Sequence, residues 1–263
     1  MLKILARNSK FFYCKKRIRK IIFQFLSLYQ ILKSKCYSST SKIFTLNFRT
    51  FEQIIFQLML LRINPNNPNT KEIEQVVECL RDGGVIIYPT DTVYGIGCDI
   101  NKQRAVERVC KLKNIAPEKS NFSFICYDLS HLSDFTKAVD TSTYKKMKRM
   151  LPGPFTFILE ANNNVPKLFK SKKKTVGIRI PNNLICREIV QMLGNPIMST
   201  SVHDNDEVIE YTTDPEIIYE NYKDKVDIVI AGSYGNIEPS TVIDCSDGGF
   251  TIVRQGLGIV EDF

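Results

Sequence analysis

Short apolar runs alternate with segments of helical periodicity from about residue 63 to the C-terminus, and this alternation limits the fold more than any other feature. The run Val85-Ile86-Ile87-Tyr88 is typical of a strand that is buried on both faces. The segment before it has apolar residues at helical spacing, with Asn69 as N-cap and Gly83-Gly84 as the stop. Because helices and strands alternate, the sequence predicts an α/β fold with one twisted, mainly buried mixed sheet flanked by helices.

The remaining elements follow the same pattern. Further helices are predicted over residues 101–113, 142–151 and 184–193, and another begins at Thr213-Asp214-Pro215-Glu216. Strands are predicted over residues 122–126, 155–160, 175–180, 196–199, 226–231, 241–244 and 250–254. The body contains no internal repeat and no linker long enough to separate two domains, so residues 61–263 are predicted to form a single domain.

The first part of the chain differs from the rest in charge. Residues 1–62 carry 13 basic residues and one acidic residue, Glu52, for a net charge of +12, whereas the remaining 201 residues have a net charge of −4. The leader, residues 1–60, is rich in Lys, Arg, Ser and Phe, as organellar transit peptides are. We therefore expect import into a mitochondrion or plastid, and otherwise a cytoplasmic protein. Two alternatives stay open: a disordered basic arm that binds RNA or acidic lipid, and an initiator at Met59.

The apolar stretches and the cysteines argue against two classes of protein. The longest apolar stretch, residues 21–32, is shorter than the roughly 20 residues of a membrane-spanning helix, so no membrane partner is predicted. The eight cysteines include no CxxC pair and the chain has two histidines, so no metal site is predicted. Cys79, Cys98, Cys110 and Cys186 lie among apolar neighbours and are predicted to be small core residues in a reducing compartment.

A polar turn follows the strand that ends at Pro89. The chain passes through Thr90-Asp91-Thr92 toward Gly95-Ile96-Gly97, which is predicted to bring hydroxyls and unpaired backbone N–H groups to the end of a strand, where α/β proteins bind ligands. The two glycines are not a dinucleotide fingerprint, because the third glycine is missing, and the chain has no Gly-x-x-x-x-Gly-Lys-[Ser/Thr] phosphate loop. An ordinary kinase or dehydrogenase is therefore disfavoured.

Residues 83–98, GGVIIYPTDTVYGIGC, resemble the opening motif of the YrdC/YciO superfamily, which typically reads GGVxxxPTDTxYGLG. Further landmarks stand in the expected order: LPGPFTFIL (151–159), VGIRIP (176–181), PIMSTS (196–201), PSTVID (239–244) and IVRQG (252–256). The resemblance covers about residues 61–260 and implies a basic concave face. The best understood members synthesise threonylcarbamoyl-AMP from ATP, bicarbonate and L-threonine for tRNA modification. The resemblance therefore implies this reaction, with Mg²⁺ bound to the ATP and no tightly bound cofactor.

Candidate site residues follow from the resemblance position by position, and no catalytic residue is assigned. The resemblance implies that Thr90, Thr92 and Tyr94 line the threonine end of the pocket and that Lys113 is the lysine of a KxR motif. It implies that Arg179 contacts a carboxylate or phosphate and that Ser199 and Ser201 lie on the adenylate side. It further implies that Ser240 and Thr241 close the pocket and that Arg254 matches the arginine near the C-terminus of the family's core. Two alternatives stay open: Tyr94 as a simple core residue, and Lys113 as a charge at a helix end that complements the helix dipole. Arg179 has apolar neighbours in its strand, so it requires an anionic or hydrogen-bonding partner.

Three departures from the synthase motifs point to the YciO branch. Ile115 stands where the KxR motif has its arginine, the strand over residues 122–127 has no histidine, and Ser201 stands where an SxN motif has its asparagine. Loss of a charge-assisted contact typically costs a few kcal/mol of binding. We therefore expect a nucleotide pocket that is retained, with a synthase reaction that is weakened or changed.

Charge along the body predicts a second kind of ligand. Residues 137–179 have a net charge of +9, whereas residues 180–263 have a net charge of −11. The candidate RNA-binding residues are Lys145, Lys146, Lys148, Arg149, Lys172, Lys173 and Lys174. Such clusters supply phosphate contacts to double-stranded or structured RNA, including tRNA, although a solvated loop is the ordinary interpretation of residues 172–174. An RNA-binding protein with an altered nucleotide pocket is thus the alternative to a synthase.

Overall fold

The computed structural model describes residues 59–115, 122–165, 174–202 and 213–260. Within these ranges the helices are α1 (Thr70–Arg81), α2 (Gln103–Leu112), α3 (Thr141–Met150), α4 (Leu184–Leu193) and α5 (Pro215–Tyr222), and one 3₁₀ turn spans Leu132–Asp134. The strands are β1 (Leu60–Arg62), β2 (Ile86–Tyr88), β3 (Gly95–Asp99), β4 (Ser123–Ile125), β5 (Phe155–Glu160), β6 (Thr175–Arg179), β7 (Ile197–Ser201), β8 (Ile228–Ala231), β9 (Thr241–Asp244) and β10 (Thr251–Arg254).

These strands form one 10-stranded sheet in the order β1-β8-β2-β3-β7-β4-β6-β5-β9-β10. Strand β8 is parallel to both of its neighbours, and the β4–β6 and β5–β9 pairs are also parallel. The remaining pairs are antiparallel. The predicted α/β fold around a single mixed sheet is therefore confirmed.

Helices cover the two faces of the sheet unequally. Helices α2, α3 and α5 bury residues in a first core, which also contains Phe155, Phe157 and Leu159 of β5 and Val176 and Ile178 of β6. Helices α1 and α4 pack on the opposite face and form a second core with β1, β8 and β2 and with Ile125 and Ile197. No residue of β5, β6, β9 or β10 belongs to this second core, so within the described ranges that part of the face is not covered by α1 and α4.

The boundaries of α1 show how local sequence determines an element. The Asn69 side chain accepts a hydrogen bond from the Lys71 N–H at 3.0 Å, as a helix N-cap does. Gly83 ends the helix with a φ of +81°, a conformation that favours glycine. A Cβ on Gly84 would lie 2.7 Å from the carbonyl oxygen of Cys79, so a second glycine is also required.

The structure corrects the sequence prediction in two places. Residues Gly95–Asp99 form a buried strand, where the glycines were expected to lie in a turn. Leu60, expected in the leader, pairs with Val229 of β8 as the first residue of β1. Residues 1–58 of the expected leader lie outside the described residues.

Two further observations concern cysteines and membranes. The six cysteines in the described ranges are buried, which confirms the core role predicted for Cys79, Cys98, Cys110 and Cys186. Of the helices in the described part of the chain, none is long and apolar enough to cross a bilayer.

Candidate functional site

A row of small residues crosses the centre of the sheet on one face. Gly97 of β3 pairs with Ser199 of β7, Ser199 with Ser123 of β4, and Ser123 with Gly177 of β6. The neighbouring residues along these strands point to the other face and belong to the first core: Ile96, Cys98, Phe124, Val176, Ile178 and Met198. We call the side that carries this row, together with Arg179, the polar face. Its small side chains leave space above the sheet beside the second core.

Arg179 ends β6 on the polar face and is 8% exposed. Its Nη2 lies 3.0 Å from Thr90 Oγ1, 2.6 Å from Asp91 Oδ1 and 2.7 Å from Thr92 Oγ1. The sequence required an anionic or hydrogen-bonding partner for this arginine, and that prediction is confirmed. The guanidinium thus attaches the loop after β2 to the end of β6.

Asp91 is the part of this arrangement that sequence reasoning missed. Its Oδ1 accepts from Arg179, and its Oδ2 accepts from the Asn182 N–H at 2.9 Å, so one carboxylate joins the loop after β2 to the turn before α4. Within the loop, Thr90 Oγ1 donates to the Val93 carbonyl at 2.8 Å and accepts from the Thr92 N–H at 3.0 Å. The sequence signal that could have identified Asp91 is its position between Thr90 and Thr92, the two threonines of the motif.

One donor of Arg179 has no partner. Its Nε is buried and makes no hydrogen bond to the described residues. An unsatisfied buried donor costs about 1–3 kcal/mol, and more when the group is charged. An oxygen of an anionic ligand at this point would satisfy the donor and the charge together.

A second guanidinium lies on the same side of the sheet. Thr156 of β5 pairs with Arg179, so the two side chains share a face, and Thr156 Oγ1 lies 2.8 Å from Ser240 Oγ. Arg254 Nη2 donates to the Ser240 carbonyl at 2.8 Å. Burial, and secondly the charge of Arg179, lower the pKa of Arg254. The sheet therefore brings together Arg179, Ser240 and Arg254, and the two cations favour an anionic ligand.

Tyr88 and Ser199 meet at the boundary between the second core and the polar face. The Tyr88 hydroxyl donates to Ser199 Oγ at 2.5 Å. The Tyr88 ring lies against β3, where a Cβ on Gly95 would be 2.9 Å from Tyr88 Cζ and a Cβ on Gly97 2.9 Å from Cε1. Both glycines pair with strand neighbours, so their backbone does not form the expected anion-binding turn. The Gly-x-Gly sequence instead makes room for an aromatic ring.

Lys113 lies near the C-terminal end of β7. It follows the last residue of α2 and is 8% exposed, and its Nζ lies 3.3 Å from the carbonyl oxygen of Val202. Val202 comes directly after Ser201, the last residue of β7. The lysine is therefore buried beside the candidate residue Ser201, and it is not a solvated charge at a helix end.

Two candidate residues direct their hydroxyls elsewhere. Tyr94 packs in the first core and donates to the Ser233 carbonyl at 2.6 Å, and burial raises the pKa of its hydroxyl to about 12. Thr241 is fully buried, donates to the Gly258 carbonyl at 2.6 Å and accepts from the Gly256 N–H at 2.9 Å. These side chains hold the segments after β8 and β10 in place.

The candidate RNA-binding residues of helix α3 do not lie on the polar face. Helix α3 buries Met147 and Met150 in the first core, on the other side of the sheet. Its basic residues are exposed or partly exposed: Lys145, Lys146, Lys148 and Arg149. Lys146 Nζ lies 4.4 Å from the ring centroid of Phe250. Lys174 is exposed at the start of β6, and Lys172 and Lys173 lie outside the described residues. The expected basic concave face is thus not confirmed: among the described residues, the cations found on the polar face are Arg179 and Arg254.

A family model named Sua5_yciO_yrdC, described as "Telomere recombination", matches residues 78–256, which include the loop after β2, the polar row, Arg179 and Arg254. The chain belongs to the Sua5/YciO/YrdC family. It is 41% identical over 203 residues to YciO of Escherichia coli strain K12, a match that spans 76% of this chain and 97% of YciO. The crystal structure of E. coli YciO superimposes with a TM-score of 0.71 at 40% identity, over 77% of this chain and 98% of that one.

Synthases of the same family are more distant. The threonylcarbamoyl-AMP synthase of Coxiella burnetii strain RSA 493 is 29% identical over 174 residues, 66% of this chain and 92% of the synthase. The crystal structure of P. abyssi Sua5 complexed with L-threonine shares the fold, with a TM-score of 0.68 at 24% identity over 75% of this chain and 57% of that one. The chain is therefore more similar to YciO than to these synthases.

Proposed function

We propose that the polar face binds ATP together with L-threonine and forms threonylcarbamoyl-AMP. The observation that carries this proposal is the buried Arg179 guanidinium, whose Nη2 holds the loop after β2 while its Nε has no partner among the described residues. The second cation, Arg254, and the family relationship to synthases support the same ligands.

The reaction requires cations between two anionic reactants. The amine of threonine combines with carbon dioxide from bicarbonate to give a carbamate, and a carbamate oxygen attacks the α-phosphorus while pyrophosphate leaves. The carbamate and the triphosphate repel each other, so fixed positive charges and N–H or O–H donors reduce the repulsion in the transition state. Arg179 and Arg254 supply the charges. Mg²⁺ enters as part of the Mg–ATP substrate, since the Asp91 carboxylate is already engaged by Arg179 and Asn182.

Hydroxyl groups around the two arginines supply the polar contacts. Thr90 and Thr92 border Arg179 at the loop after β2, which is the proposed threonine end. Ser123 of β4 and Ser199 of β7 belong to the polar row, and Ser240 lies beside Arg254. Hydroxyls at these positions can donate to carboxylate and phosphate oxygens.

The departures from the synthase motifs bear on turnover. Ile115 is 38% exposed and cannot donate to a phosphate, and Ser201 replaces an amide by a shorter hydroxyl. Loss of one charge-assisted contact costs about 1.5–3 kcal/mol. We expect the nucleotide to bind and the reaction to run more slowly than in a synthase that carries the arginine.

ATP binding tests the proposal. Isothermal titration of the full chain with Mg–ATP should show binding that falls by at least about tenfold in Arg179→Ala, because a buried charged contact is lost. The control is Arg104→Ala, an exposed arginine of α2, which should bind as the wild type does. Wild-type protein that binds no Mg–ATP, with or without L-threonine, would contradict the proposal.

A second candidate function is binding of structured RNA by the outer side of α3. The observation that favours it is a helix with four basic residues and no acidic one, whose Lys145, Lys148 and Arg149 are exposed. Such a surface contacts phosphates, so affinity should fall steeply with salt. Lys145→Glu/Lys148→Glu should abolish binding to a hairpin RNA, whereas the control Arg104→Glu/Lys111→Glu on α2 should retain it. Unchanged affinity and salt dependence in the α3 variant would exclude this surface.

A further inference from the structure

We propose that Tyr88 is a positioning residue that fixes the direction of the Ser199 hydroxyl, so that Ser199 donates its hydrogen bond to an anionic ligand oxygen on the polar face. The inference rests on the proposed function in one respect: it needs an anionic ligand at this face. It adds a specificity determinant to that site, because a hydroxyl held as a donor selects acceptor oxygens over N–H and O–H groups of a ligand.

The contact between the two hydroxyls is buried and closely fixed. Tyr88 is 0% and Ser199 5% exposed, and their oxygens lie 2.5 Å apart. The Tyr88 ring has little freedom to turn away, because it lies against Gly95 and Gly97, where any Cβ would come within 3 Å of ring atoms. Two glycines in a five-residue buried strand have an intrinsic cost, and here they make this one contact possible.

The chemistry of the two groups sets the direction of the hydrogen bond. A phenol is a stronger donor and a weaker acceptor than an aliphatic hydroxyl, so Tyr88 donates and Ser199 accepts. Burial raises the pKa of Tyr88 far above its usual range, so its proton stays in place at any pH where the protein is studied. The lone pair of Ser199 that faces Tyr88 is therefore occupied, and the Ser199 hydrogen must find a different acceptor.

The position of Ser199 on the sheet indicates where that acceptor lies. Tyr88 is the side chain that bonds Ser199 within the described residues, and the row across the sheet continues from Ser199 to Ser123 and Gly177, not to a protein acceptor. The charge of Arg179 is close enough to lower the pKa of Tyr88 in opposition to burial. A ligand oxygen near Ser199 is thus in the field of Arg179, which favours carboxylate and phosphate.

The test compares two probes that differ by one phosphate. Affinities of AMP and adenosine are measured by titration calorimetry for wild type, Tyr88→Phe, Ser199→Ala and the double variant. Each variant should lower the affinity for AMP about tenfold, as expected for a lost hydrogen bond to a charged group. Its affinity for adenosine should stay within about twofold of the wild-type value. The double variant should have the same affinity for AMP as the single variants, because both changes remove the same interaction. A general loss of packing would lower both affinities together.

The inference is overturned by any of the following results. If Tyr88→Phe keeps the wild-type preference for AMP while Ser199→Ala loses it, Tyr88 does not position the hydroxyl. If the losses of the single variants multiply in the double variant, the two residues act independently. Wild type that binds neither AMP nor ATP contradicts the proposed function itself, and the inference falls with it. Should Tyr88→Phe fail to fold, the AMP-to-adenosine ratio of Ser199→Ala decides, since an unchanged ratio excludes donation by Ser199.

Discussion

Asp91 and Arg179 are 88 residues apart in the chain, and their side chains meet at 2.6 Å between Oδ1 and Nη2. Their side chains alone are 11% and 10% exposed, so this is a nearly buried ion pair and not a surface contact. Through the second carboxylate oxygen it also holds Asn182. The site is therefore organised around one carboxylate that positions one guanidinium and two loops.

Asp91→Asn should destabilise the protein by about 3 kcal/mol, because it leaves the Arg179 charge buried without its counterion. The measurement is the free energy of unfolding in urea. Glu160→Gln is the matched control, since Glu160 pairs with Lys137 on the surface and such pairs contribute about 0–1 kcal/mol. Equal effects of the two substitutions would contradict a structural role for the buried pair.

Gly97→Ala should lower the free energy of unfolding by about 1–3 kcal/mol, as overpacking of a core does. The new Cβ would lie 2.6 Å from Ile197 Cγ2 and 2.8 Å from the Met198 carbonyl oxygen. Gly177→Ala, whose Cβ would come no closer than 3.4 Å to any neighbour, should be tolerated. Urea unfolding gives both free energies, and equal values for the two variants would argue against close packing of β3 on β7 and on the Tyr88 ring.

Strand β3 also shows why the sequence left part of the fold undetermined. Gly95 and Gly97 are poor strand formers, so local propensity predicts a turn there, and the reason for their presence is the ring of Tyr88 from another strand. By contrast, α1 and β5 have their caps and apolar pattern within their own residues, and both were predicted closely. A contact between residues that are distant in the chain does not appear in the sequence pattern of a single helix or strand.

The site divides in the same way. The need for a partner at Arg179 followed from a charge inside an apolar strand, and its candidate neighbours Thr90 and Thr92 do contact it. The face on which α3 packs could not be read from its charges, because its position depends on how Met147 and the sheet meet in three dimensions. The basic residues of α3 therefore lie on the opposite side of the sheet from the polar face.

Stability should decrease as pH rises from about 10 to 12, in part because of Tyr94. Burial raises the pKa of Tyr94 to about 12 in the folded protein, whereas the unfolded chain loses this proton near pH 10. The contribution is thus complete below pH 10 and is lost as pH approaches 12, for a total of about 2–3 kcal/mol. Tyr94→Phe should show a smaller fall in unfolding free energy between pH 9 and pH 11 than wild type. An identical pH dependence would refute this assignment.

Arg254→Gln should lower the affinity for ATP about tenfold and change the free energy of unfolding little. Its guanidinium is partly buried against Ser240, but no residue of β10 belongs to either core, so few core contacts depend on the side chain. Its charge adds to that of Arg179. Calorimetry gives the affinity, and urea unfolding gives the stability of the same sample. A large loss of stability with unchanged ATP affinity would make Arg254 a structural residue only.

The central claim is that the polar face joins threonine, bicarbonate and ATP, and release of pyrophosphate from ATP by the full chain tests it most directly. The account predicts slow release that requires both L-threonine and bicarbonate and that is lost in Arg179→Ala but kept in Arg104→Ala. Release that is independent of threonine, or no release from a protein that is folded and binds ATP, would contradict it.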